Sequence, residues 1–202
     1  MMLGLPKATE LNKQLPKKAI YAKFQMNTAA KEKMNSDISR IMITNEISPT
    51  RIQATEGEQV KSFFVVQVTL KRKDFDERTI STISKLIPQK MLLVLEYGDE
   101  TKLAIYHTKL MQTEWHQKAN VFIELKGLNL DTIWENIVVQ VGGVQVEEGN
   151  TLEKQLEVDN RRQQLEKEVA RLDKLARKEK QPKRKFDIAQ QIIKLKKERD
   201  FI

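Results

Sequence analysis

Two histidines, no cysteine and one Gly-Gly pair bound the chemistry that this chain of 202 residues can carry. A loop that cradles phosphate needs glycines at set spacing. Gly142-Gly143 stands alone, with neither a GKS/T nor a GxGxxG around it, so no P-loop or Rossmann turn is expected. The lack of cysteine removes thiol nucleophiles, disulfides and thiolate metal sites, and it fits a reducing compartment. His107 and His116 lie nine residues apart on what read as different strands, a poor match to the short spacing of zinc hydrolases. No GxSxG elbow places a serine beside either one. Neither a metal nor a cofactor is expected.

One catalytic pattern is worth testing. A restriction-type nuclease core holds an acid on one strand and Glu-x-Lys on the next, because two carboxylates hold Mg²⁺ and the lysine steadies the attacking water. Here an apolar strand ends Thr69-Leu70-Lys71, with threonine where the second carboxylate would be. Glu58-Gln59-Val60-Lys61 is off by one residue. Glu58 and Lys71 are thus the residues that an atypical metal-dependent nuclease would use, and Thr69 argues against it. Trp115, set among polar neighbours, reads as the anchor of a sheet edge rather than as a base-stacking platform.

Charge is the stronger signal. The net charge is +8, but residues 1–33 carry seven lysines against Glu10 and Glu32, and residues 171–202 carry twelve Lys/Arg against five Asp/Glu. The middle of the chain is therefore slightly acidic, and two basic ends suggest a polyanion partner. Near the end the cations come in two bursts. Arg177, Lys178, Lys180, Lys183, Arg184 and Lys185 cross a turn, and Lys194, Lys196, Lys197 and Arg199 follow on a helix. Such a cluster predicts salt-sensitive, sequence-independent contact with duplex DNA. Only Phe186 is interleaved with it, so base reading is not expected.

The elements that must position these residues fall into two textures. The first, residues 1–146, reads as a mixed α/β (α+β) domain with a central sheet and packed helices. In residues 1–18, Leu3, Leu5, Leu11 and Leu15 dock on the body, and Thr9 or Asn12 caps a single helical turn. Helices are predicted over Lys18–Phe24 and from Thr28, as N-cap, to about Met42, with Met34, Ile38, Ile41 and Met42 on one side. Val60–Leu70 is a strand, with Ile52–Thr55 pairing to it. Asp74–Ile87 is an amphipathic helix stopped by Pro88. Met91–Tyr97 is a central strand covered on both faces, and Gly98-Asp99 turns into a hairpin with Lys102–His107. Gln112–His116 and Val121–Leu125 are further short strands, and Thr132–Val141 is a helix ended by Gly142-Gly143.

The second, residues 147–202, is a basic α-helical hairpin arm, coiled-coil-like and antiparallel. Val158, Leu165, Val169, Leu172 and Ala176 form a heptad seam that Arg162 interrupts, and Ile188, Ile192 and Leu195 resume it after Pro182. Each seam is only two or three heptads long. A partner is therefore expected to complete it, whether the body, a second copy or another protein. No stretch approaches the roughly 18 apolar residues of a membrane span, and Met1–Lys18 has no apolar run of signal-peptide length, so a cytoplasmic protein without membrane contact is expected.

Several segments together resemble a known family. They are LGLPKATELNKQLPKK at the start, VVQVTLKRKDFD with IPQKMLLVLEY, Thr113-Glu114-Trp115, LKGLNLDTIWENIVVQV and the basic helical tail. In this order they resemble the bacterial family catalogued as domain of unknown function 4391, across nearly the whole chain. The resemblance implies an accessory subunit of a restriction-like or antiphage defence system, beside a helicase or DNA methyltransferase. It supplies no catalytic residues. The expected function is a non-catalytic adaptor, with an atypical nuclease second and an RNA-binding or toxin–antitoxin module third.

Overall fold

The structure, a computed structural model, describes residues 3–147 and 149–202. Among them lie seven strands and six α-helices in a mixed α+β arrangement. The chain divides into two compact units, Met1–Gly143 and Val144–Ile202.

The first unit is built on an open mixed sheet. Its strands are β1 (Glu10–Gln14), β2 (Ile38–Ile47), β3 (Phe63–Leu70), β4 (Lys90–Tyr97), β5 (Glu100–Tyr106) and β6 (Leu110–Gln112), hydrogen-bonded in that order, while β7 (His116–Gln117) also pairs with β5. Only β3 and β4 run parallel, and α3 (Glu77–Ile83) connects them. One face of the sheet, carrying Ile41, Ile43, Val66, Val68, Leu93 and Leu95, packs on α1 (Lys17–Lys23), α2 (Thr28–Asp37) and α3 through Ile20, Met34, Ile80 and Ile83. Each such fully buried side chain contributes about 1.5–3 kcal/mol. On the opposite face Phe63 meets Trp134 of α4 (Leu130–Gly142), with ring centroids 5.2 Å apart.

Two buried or half-buried carboxylates pin the loops around this sheet. Asp37, fully buried where α2 passes into β2, accepts from Arg72 Nε at 2.7 Å and from the Asp76 N–H at 3.0 Å. Burial pushes its carboxyl up. The Asp76 N–H, Arg72, Ser36 and nearby Lys33 outweigh that and hold it below the usual carboxylate range. Asp131, in the first turn of α4, accepts the consecutive backbone N–H groups of Glu58, Gln59 and Val60 at 2.6, 3.2 and 2.7 Å. Desolvation again acts upward, and these hydrogen bonds with Lys61 win, so its pKa is also lowered. A Cβ at Gly57 would lie 2.3 Å from the Asp131 carboxylate, so only glycine permits this approach.

The structure departs from the sequence-based expectations where bulges and long-range pairing intervene. The helix from Thr28 ends at Asp37, and Asn27 rather than Thr28 caps it, accepting from Ala30 N. Ile38, Ile41 and Met42 belong to β2. Register shifts between Ile38 and Arg40 and between Ile43 and Asn45 break the alternation, so a bulged strand imitates a three-four helical spacing. Thr9 closes a 3₁₀ turn, and Asn12 lies in edge strand β1. Ile52–Thr55 does not pair with β3, whose neighbours are β2 and β4; Thr55 makes one bridge, to Asn129. Val121–Leu125 alternates in burial but forms only a single bridge, between Phe122 and Leu3. The central strand and its hairpin with β5 form as expected, and α4 ends on Gly143 at φ 62°.

The second unit holds α5 (Leu152–Lys178) and α6 (Pro182–Phe201). Thr151 caps α5 by accepting from Lys154 N, and Pro182 begins α6, where its missing N–H costs nothing. Val169, Leu172 and Ile192 bury one another, flanked by Ile188 and Leu195, and Arg161 reaches across to Glu198. These pairs fix an antiparallel hairpin.

Candidate nucleic-acid interface

Six cations gather where α5 turns into α6. Arg177 and Lys178 close α5, Lys180 lies in the three-residue connection, and Lys183, Arg184 and Lys185 fill the first turn of α6. All six are exposed, and none makes an ion pair among the described residues. Elsewhere in this unit Arg161, Arg171 and Arg199 each have an acidic partner. Glu168, for example, is held below its usual range by the hydrogen bond and charge of Arg171.

The helix ends differ in what they ask of these charges. Arg177 and Lys178 at the carboxyl end of α5 complement the helix dipole. The first turn of α6 has no acidic residue and three cations, against the dipole. Glu179 accepts from the Gln181 N–H at 2.8 Å and the Gln181 carbonyl accepts from the Lys185 N–H, which leaves the N–H groups of Lys183 and Arg184 open among the described residues.

The seam is closed within the hairpin. Val169, Leu172, Ile188, Ile192 and Leu195 cover one another, Leu165 is 3% exposed and Val158 is half-buried. At Val169 and Leu172 the short seam is completed by the chain's own α6. Arg162, which interrupts the heptads, is half-buried.

Glu58 and Lys71 do not come together. They flank opposite ends of β3, and an eight-residue strand spans roughly 26 Å. The Glu58 backbone is part of the loop clamped by Asp131. Lys71 Nζ donates to the Asn35 carbonyl at 2.7 Å, and Lys17 donates to the Ile38 carbonyl, so both lysines cap the carboxyl end of α2. Burial and the neighbouring Lys71 lower the Lys17 pKa.

Strand register does assemble a polar row that sequence reasoning missed. Thr69, Glu96, Thr101 and His116 are successive cross-strand partners on β3, β4, β5 and β7, and such partners share a face. Glu96 is 6% exposed and accepts from Gln67 Nε2 at 2.6 Å and Lys118 Nζ at 3.2 Å. The Thr101 hydroxyl is buried without a partner among the described residues. The available signal was a single acid closing the apolar run MLLVLEY. The row holds one carboxylate, so it does not supply the acid pair of a nuclease core. Trp115 packs at the margin of the core with Lys73 and Lys102 over its ring, which is an anchoring role.

An open mixed sheet with a basic helical pair, whose accessible chemistry is charge, defines the class of this protein. The chain belongs to the family described as Domain of unknown function (DUF4391), which matches it over residues 3–198. No curated protein and no solved structure matches it. No helix among the described residues is long and apolar enough to cross a membrane.

Proposed function

We propose that this chain is a non-catalytic accessory subunit that contacts duplex DNA through the turn between α5 and α6. The observation that carries the reading is the turn itself, where six exposed cations make no ion pair among the described residues. Phosphate contacts of this kind give affinity without sequence preference. The biological setting rests on the family resemblance: a cytoplasmic antiphage-defence or restriction-like complex in which the α/β body docks on a helicase or methyltransferase.

Two measurements test it. A labelled duplex should bind the full chain at low salt and lose most of its affinity when Lys183, Arg184 and Lys185 become glutamine. A tagged chain expressed from its native operon should co-purify in a stoichiometric complex. Unchanged binding by the triple variant removes the DNA contact, and a chain that purifies alone and cuts DNA removes the adaptor. Preference for an RNA duplex would replace DNA by RNA as the ligand.

A further inference from the structure

Below the polar row, on the same sheet face, lies a cleft of about 200 Å³ bordered by Leu103, Thr113, His116, Asn120, Phe122 and Gln140. Sites for drug-sized ligands run to about 300–1,000 Å³, so this one takes a single ring or side chain. Its polar groups divide sharply. Gln140 exchanges two hydrogen bonds with the Glu124 backbone, at 3.1 and 2.9 Å. The Thr113 hydroxyl donates to the Glu114 carbonyl and accepts from Leu103 N. The side chains of His116 and Asn120 make no hydrogen bond among the described residues. Lys118, between them in sequence, is engaged by Glu96.

Phe122 supplies the third element. Its backbone is fixed by the bridge to Leu3 and by the Ile123 N–H donating to the Leu3 carbonyl. A Cβ at Gly4 would lie 3.6 Å from the Phe122 ring, so the glycine leaves room beside it, and Phe122 is 67% exposed. An exposed aromatic ring on a fixed backbone, beside two side chains that make no hydrogen bond among the described residues, matches a flat ligand with a polar edge. No lysine or arginine is among the described residues that border the cleft, so its contacts suit a ring and its polar edge rather than a phosphate. Asn offers a donor and an acceptor side by side, and imidazole offers one of each, which is the complement of a heterocycle edge.

We propose that this cleft binds one nucleobase, stacked on Phe122 and hydrogen-bonded along its edge by Asn120 and His116. Exposed bases of single-stranded nucleic acid are recognised by this combination of stacking and edge contacts. The proposal is independent of the α5–α6 turn.

Nucleosides are the probe, because they carry a base and no phosphate. Adenosine, cytidine, guanosine and uridine are titrated into the ¹⁵N-labelled full chain, alongside Phe122→Ala and Asn120→Ala. The expected result is saturable amide shifts within residues 116–123 for at least one nucleoside, weakened about tenfold or more in each variant. Both positions are exposed, and an otherwise unchanged spectrum shows that the variants are folded. Absence of saturable shifts up to about 10 mM overturns the proposal. Shifts that persist unweakened in both variants, or that fall only on the α5–α6 turn, overturn it equally. Loss of DNA binding by the turn variant leaves it standing.

Discussion

Neutralising the α5–α6 turn should change how binding depends on salt as well as how tight it is. Under the proposed contact, six exposed cations without ion pairs among the described residues would meet up to six phosphates, and each neutralised phosphate contributes about −0.9 to the slope of log affinity against log salt. The parent slope is then about −5, and affinity falls about a thousandfold between about 50 and 200 mM salt. Replacing Lys183, Arg184 and Lys185 by glutamine leaves three contacts and a slope near −3, so the same interval costs only about fortyfold. Fluorescence anisotropy with two labelled duplexes of unrelated sequence, at four salt concentrations, reads both slopes. Far-UV circular dichroism checks that α6 survives; removing three cations from its first turn should stabilise the helix slightly. Equal slopes for parent and variant would refute the placement of the phosphates at this turn. A flat parent slope would refute the electrostatic reading altogether.

Other expectations concern the frame. Asp37→Asn should destabilise the protein by about 2 kcal/mol in urea unfolding, because the neutral amide weakens the charge-assisted hydrogen bonds from Arg72 and the Asp76 N–H while the half-exposed guanidinium stays hydrated. Asp37 and Asp131 both have lowered folded pKa values. Their contribution is therefore full above the unfolded value of about 4 and is lost as pH falls through the folded values, so unfolding midpoints should drop below about pH 4 and drop less in Asp37→Asn. Trp134→Phe should cost under about 1.5 kcal/mol, because the buried indole N–H has no partner among the described residues, whereas Trp134→Ala should cost about 3–5 kcal/mol. Leu172→Ala removes one of the three buried residues that bind α5 to α6; amide exchange in α6 should accelerate at least tenfold while the sheet stays protected. Incubation of the parent with duplex DNA and Mg²⁺ should give no cleavage, and Glu58→Ala or Lys71→Ala should change nothing in that assay.

Local chemistry was legible where one face and one period decide an element. The apolar run of β4, the tight turn into β5, the Gly-Gly stop of α4 and the heptads of the hairpin each carry their own instruction. The cation cluster was legible too, since lysines at a proline-broken turn are exposed in almost any packing. Three things were settled only in three dimensions. The span 38–47 became a strand because β1 and β3 flank it, and its two bulges hid the alternation. The seam became a closed core because α6 returns along α5. The pairing of Thr69, Glu96, Thr101 and His116, and the cleft beside them, depend on strand register, which brings residues up to 47 apart in sequence onto one line. The sequence by itself determined where the charge and the helical pair lie, because both are properties of neighbouring residues. The tertiary structure alone decided which polar groups remain free, because that depends on distant partners such as Gln140 with Glu124 and Lys118 with Glu96.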